Sequence, residues 1–171
     1  VDISAFYAVL AGVNFTLLGL WWVTVQERRE FRARGSWAGR MAYVVSLQFL
    51  LPGTMSLVSQ VAPDVPLIWR TTFALGGAAG VLGIVLLVPL LLRTHLRRSA
   101  VLLLMVGIPI HVAVALVALA PDLRRSTGIE LTNLQIEAIV LCLLVLLGAH
   151  TAWTAAMTPS VDDARTEQAV G

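Results

Sequence analysis

The chain has 171 residues, of which 58% are hydrophobic and 13% charged, with a formal net charge of +2. A typical soluble domain is about 25% charged, and one of this size has too little interior to hide the five apolar blocks of about 20 residues into which this chain divides. A soluble fold, a disordered chain and a disulfide-stapled scaffold are excluded, which leaves an all-α polytopic membrane protein built as a bundle of five transmembrane helices. The basic residues are all arginine, so there is no lysine for Schiff-base or amine nucleophile chemistry. The single cysteine, Cys142, lies inside an apolar block and reads as a small packing residue.

The first span is expected over Ile3–Val25. It has no basic region before it and no small-residue cleavage site after it, so it does not read as a signal peptide. Ser4, Ala8, Gly12 and Thr16 recur every fourth residue and form a small-residue packing stripe. Tyr7 and Asn14 share another face, and Trp21 and Trp22 fall at interfacial depth. Gln26–Arg34 is expected to continue the helix beyond the membrane, with Glu30 and Arg34 at ion-pair spacing, until Gly35 and Ser36 end it.

The second span is expected over Met41–Val61. Ala42, Ser46, Phe49, Gly53, Ser56 and Gln60 fall on one continuous face of small or polar residues, flanked by Gln48 and Ser59, with Thr54 a further hydroxyl. Pro52 frees the Gln48 carbonyl and, with Gly53, predicts a kink. The third span, Leu67–Leu92, carries Trp69 and Arg70 about one turn in. Arg70 snorkels outward, pairs with Glu137 at similar depth, or draws anions into an outer vestibule. Thr72, Gly76 and Gly80, with Gly77 and Gly83 beside them, predict a second close-packing face.

The fourth span, Ala100–Ala120, contains Pro109 and a central His111 flanked at one-turn spacing by Gly107 and Ala115. Those small neighbours turn His111 toward another helix. The fifth span, Ile136–Met157, carries His150 toward its far end, with Thr151, Trp153 and Thr154 nearby. Residues 1–157 thus form one domain, and Thr158–Gly171 is a short polar tail with Pro159 as a helix stop.

Orientation follows from arginine. Arg28, Arg29, Arg32, Arg34, Arg40, Arg93, Arg97, Arg98 and Arg165 fall on one side, and only Arg70, Arg124 and Arg125 on the other. Basic residues stay cytoplasmic. The N-terminus is therefore expected outside and the C-terminus inside, in a bacterial cytoplasmic membrane, with the arginine-rich connections beside anionic headgroups. No nucleic-acid recognition fold has room to form.

Asp2 and Glu137 are placed at helix ends, so the span interiors are expected to lack acidic residues and with them a carboxylate proton relay. The polar residues that remain as pathway or ligand candidates are Asn14, Ser46, Gln48, Thr54, Ser56, Arg70, His111 and His150. Gly12, Gly53, Gly76 and Gly80 are the helix-packing candidates. The first functional expectation is a homo-oligomeric channel or transporter for ions or small neutral or anionic solutes. The alternative is a non-transporting accessory, sensor or assembly subunit of a larger membrane complex. A haem-binding electron-transfer subunit ranks third. His111 and His150 differ by roughly 7–8 Å in depth at about 1.5 Å per residue, which suits one haem poorly. No metal signature and no catalytic nucleophile with a base at matched depth emerge, so neither a metal nor an enzymatic site is assigned.

Overall fold

The computed structural model describes residues 2–32, 36–61, 63–92, 97–121, 123, 128 and 130–157. All regular structure among them is helical: α1 (Ile3–Glu27), α2 (Arg29–Arg32), α3 (Trp37–Val61), α4 (Pro66–Leu92), α5 (Arg97–Leu102), α6 (Ile108–Leu119) and α7 (Asn133–Ala156). A π-helical turn, Leu103–Gly107, joins α5 to α6, so these two form one span. The chain thus has five helices long and apolar enough to cross a membrane.

Local chemistry sets the ends. The Asp2 carboxylate accepts from the Ser4 and Ala5 amides at 3.0 and 3.3 Å and caps α1. The Ser36 hydroxyl accepts from the Gly39 amide at 2.9 Å at the start of α3. Pro66 opens α4, where its missing N–H costs nothing. Thr132 and Gln135 form a reciprocal capping box that starts α7 at Asn133, three residues before the expected Ile136. The expected continuation of α1 through Arg34 does not occur. Arg28 adopts an extended backbone that ends the helix after Glu27, and a separate turn, α2, follows. The Arg28 guanidinium donates to the Ala156 carbonyl at the C-terminal end of α7, where a cation meets the unpaired carbonyls and the negative helix pole. Arg34, Arg93, Arg124, Arg125 and the tail Thr158–Gly171 lie outside the described residues.

Sequential spans are neighbours. α1 packs on α3, α3 on α4, and α4 on α6; α7 closes the ring against α6 and α1 and also contacts α3. α3 is the most enclosed span and α1 the most exposed. Two apolar cores stack along the bundle. One centres on Trp21, Phe49, Ile84 and Leu103, the other on Tyr7, Trp69, Phe73 and Leu141. Trp21, expected at interfacial depth, and Trp69 are both turned into these cores. Trp21 Nε1 satisfies its donor on the Ala42 carbonyl at 3.0 Å. Outward positions such as Val9, Leu75, Leu116 and Leu146 are as apolar as the interior. A largely apolar exterior of this kind supports a lipid surrounding.

Candidate functional site: polar groups enclosed in the bundle

Asn133, Glu137, Leu141, Leu144, Gly148, Thr151 and Ala155 form the buried stripe of α7. Glu137 lies on it one turn from the helix start, at 0% exposure, and neither carboxylate oxygen has a hydrogen-bond partner. The sequence places Glu137 at a helix end, and it lies within one turn of that end; its burial in the bundle was not expected, and the exclusion of a carboxylate proton relay that rested on its position loses its ground. The capping box moves the start of α7 back, and the stripe turns Glu137 into the bundle.

Tyr7 enters the same pocket from α1, within electrostatic reach of Glu137 and Cys142. Its hydroxyl donates to the Leu134 carbonyl at 2.8 Å, and its ring meets Phe73 edge-on at 6.2 Å. Phe73 in turn meets Trp69 edge-on at 6.0 Å. Arg70 holds its guanidinium 5.3 Å from the Trp69 ring centroid, and its Nε is buried without a partner. The considered Arg70–Glu137 pair is not formed, since Glu137 accepts no hydrogen bond. Asn133 secures this end of the bundle. Its Nδ2 donates to the Val117 carbonyl at 3.1 Å, and its Oδ1 accepts from the Leu123 amide at 3.1 Å.

Deeper in the bundle, Asn14 is fully buried. Its Nδ2 donates to the Leu10 carbonyl at 2.8 Å, while Oδ1 has no partner. The Leu10 carbonyl can only accept, so flipping the amide would not help. Gly53 faces this residue; a Cβ there would lie 3.2 Å from the Asn14 Cβ. His111 is enclosed between α4 and α6, its Nδ1 2.8 Å from the Gly107 carbonyl. A carbonyl accepts only, so Nδ1 carries the proton. Gly80 makes room for the ring: a Cβ there would fall inside the imidazole. The π turn ends at Gly107, where Pro109 lacks the N–H that the Met105 carbonyl would receive in a regular helix. Further toward the arginine-rich end, Gln48 is buried against Gly148 of α7, and its Oε1 has no partner.

The hydroxyl candidates behave differently. Ser56 is fully buried and donates to the Pro52 carbonyl at 2.7 Å. Thr54 is exposed and donates to the Leu50 carbonyl at 2.7 Å. Ser46 donates to the Ala42 carbonyl at 2.9 Å and accepts from Trp22 Nε1 at 3.3 Å, in a groove of about 340 Å³ between α1 and α3 that opens sideways. His150 is exposed on the outward face of α7, beside Leu146 and Trp153. The structure therefore does not bring His111 and His150 into one site, and a single haem between them has no support.

Among the packing candidates, Gly76 receives Met55, whose Sδ would lie 2.5 Å from an added Cβ, and a Cβ at Gly77 would lie 2.7 Å from the His111 backbone carbonyl oxygen. Gly12 meets nothing within 4 Å, and Ser4, Ala8 and Thr16 are exposed with it. That stripe is not buried within the protomer. Among the described residues, no group of three or more His, Cys, Asp or Glu could hold a metal ion.

The site residues missed from sequence are Glu137 and its neighbours Tyr7 and Asn133. The signal was present as the Thr132–Gln135 capping pattern and the stripe spacing from Glu137 through Leu141 and Leu144 to Gly148. Comparison with protein-family models, with curated proteins and with solved structures finds no match to this chain.

Proposed function

We propose that this protein provides a membrane pathway, as a channel or transporter, for a small cation, a proton or a small solute that donates hydrogen bonds. The path runs through the polar interior of each protomer. One observation carries this reading. Among the described residues, four of the five enclosed side-chain atoms without partners are acceptors: Asn14 Oδ1, Gln48 Oε1 and both Glu137 oxygens. Buried polar atoms in native proteins are nearly always satisfied, by protein or by ordered water. An acceptor surplus spread over successive depths suits water, a proton or a cation. It suits an anion poorly, which narrows the ions and small neutral or anionic solutes expected from sequence by removing the anions.

In this reading the N-terminus lies outside and the arginine-rich connections lie in the cytoplasm of a bacterial cell. Protomers assemble through the exposed Ser4–Ala8–Gly12–Thr16 face of α1. That same face also favours the second reading, an accessory subunit that presents α1 to a larger membrane protein.

The test is a flux panel in proteoliposomes covering protons, monovalent cations, chloride and a small neutral solute. Proton or cation flux that falls in Asn14→Leu and Gln48→Met is expected. No flux of any species from a homogeneous, folded preparation would sink the transport reading.

A further inference from the structure

We propose that Glu137 is a proton-binding site on this path, exchanging its proton with the end of the bundle where α1 begins. The inference rests on the transport reading and names its cargo. Glu137 is at 0% exposure, one turn inside α7, with both oxygens unpartnered. The apolar core at this end of the bundle includes Tyr7, Trp69, Phe73, Val114 and Leu141, and neither Glu137 oxygen takes a hydrogen bond from Arg70 or any other donor.

The titratable and charged groups facing this region can be named helix by helix. From α1 comes Tyr7, whose proton is committed to the Leu134 carbonyl. α3 presents the neutral Ser56 and Ser59, each donating to a carbonyl of its own helix. From α4 comes Arg70, turned onto Trp69. α6 brings only His111, at greater depth and tied to Gly107. α7 itself adds Cys142, a free thiol.

An unpaired carboxylate charge in such surroundings is costly. Adding a proton removes the charge and gives the carboxyl a donor as well as an acceptor. The site is too poor in ligands for a metal ion: one carboxylate with apolar neighbours cannot replace a hydration shell of six or so oxygens. Glu137 sits one turn from the α7 terminus and Tyr7 one turn from the α1 terminus, so a proton needs to cross only about 6 Å of helix to reach that surface.

The experiment uses dicyclohexylcarbodiimide, an apolar reagent that adds to protonated carboxyls, on the full-length protein in bilayers, read by mass spectrometry. A Glu137 adduct that weakens as the pH is raised and is absent in Glu137→Gln is expected. Sodium ions should not protect against it. No adduct at any pH, or protection by sodium, would overturn the proton assignment.

Proton flux in proteoliposomes under a pH gradient forms the second arm. Loss in Glu137→Gln with recovery in Glu137→Asp is expected. Undiminished proton flux in Glu137→Gln overturns this inference and leaves the transport reading standing. Labelling at Glu137 without proton movement by the wild-type protein overturns the placement of this proton on a path.

Discussion

Gly80 and His111 offer the sharpest test of how the bundle is held together. A methyl at Gly80 would enter the imidazole, with Cγ at 2.7 Å and the far ring atoms nearer still. The ring cannot swing away without releasing the Nδ1 contact to the Gly107 carbonyl, because His111 is only 1% exposed. Forcing a methyl into a filled site costs about 1–3 kcal/mol, and losing the hydrogen bond adds about 0.5–1.5 kcal/mol. Gly80→Ala should therefore lose about 2–4 kcal/mol, offset slightly by the better helix propensity of alanine. In a His111→Ala background the obstacle is gone, and the same substitution should cost little or nothing. Gly77→Ala is the control. Its obstacles include the His111 carbonyl and the Ala115 amide nitrogen, at 2.7 and 3.0 Å, which are backbone atoms that His111→Ala leaves in place. The assay is a double-mutant cycle on unfolding free energy in mixed micelles. A Gly80→Ala penalty that persists unchanged in the His111→Ala background would refute the contact.

Two further outcomes are expected. Asn133→Ala removes donors from three carbonyls, those of Val117, Ala120 and Pro121, and an acceptor from the Leu123 amide. It should cost about 1–3 kcal/mol, read as lowered melting temperature together with faster proteolysis between α6 and α7. Gly12→Leu places bulk where nothing lies within 4 Å, so it should leave protomer stability unchanged while shifting oligomer mass downward in native mass spectrometry; an unchanged mass removes α1 as the contact face.

The five spans were legible because 20-residue apolar blocks survive any uncertainty in packing. The glycine face of α4 was legible as a close-packing face, and the structure adds that Gly80 is where it receives His111. The α1 stripe had the same spacing and the opposite fate, since a repeat of small residues marks a face that can pack without naming what packs there. The two histidines show where sequence could have gone further. His111 has Gly107 and Ala115 one turn away on either side, and it is buried. His150 shares its face with Leu143, Leu146 and Trp153, all exposed. Small neighbours mark a helix contact and large apolar ones mark lipid. Glu137 was read at a helix end and lies one turn inside it; what that reading lacked was the face, which the stripe from Glu137 through Leu141 and Leu144 to Gly148 carries.

The enclosed polar residues also divide by what their own helix can offer them. Inside a helix every backbone N–H is already committed, while each carbonyl keeps a second lone pair. Serine and threonine donors use that spare capacity: Ser46, Thr54, Ser56 and Thr151 each bond a carbonyl three or four residues back. Such hydroxyls are satisfied without help, so their presence in a span says little about function. The amide donor of Asn14 finds a carbonyl in the same way. Its oxygen cannot, because no helix has a spare donor to give. The same asymmetry strands Gln48 Oε1 and both oxygens of Glu137. Buried Asn, Gln and Glu oxygens therefore need a donor or a cation from outside their own helix, whereas buried hydroxyls do not. In the proposed transport reading it is accordingly the amides and the carboxylate, rather than the hydroxyls, that line the path.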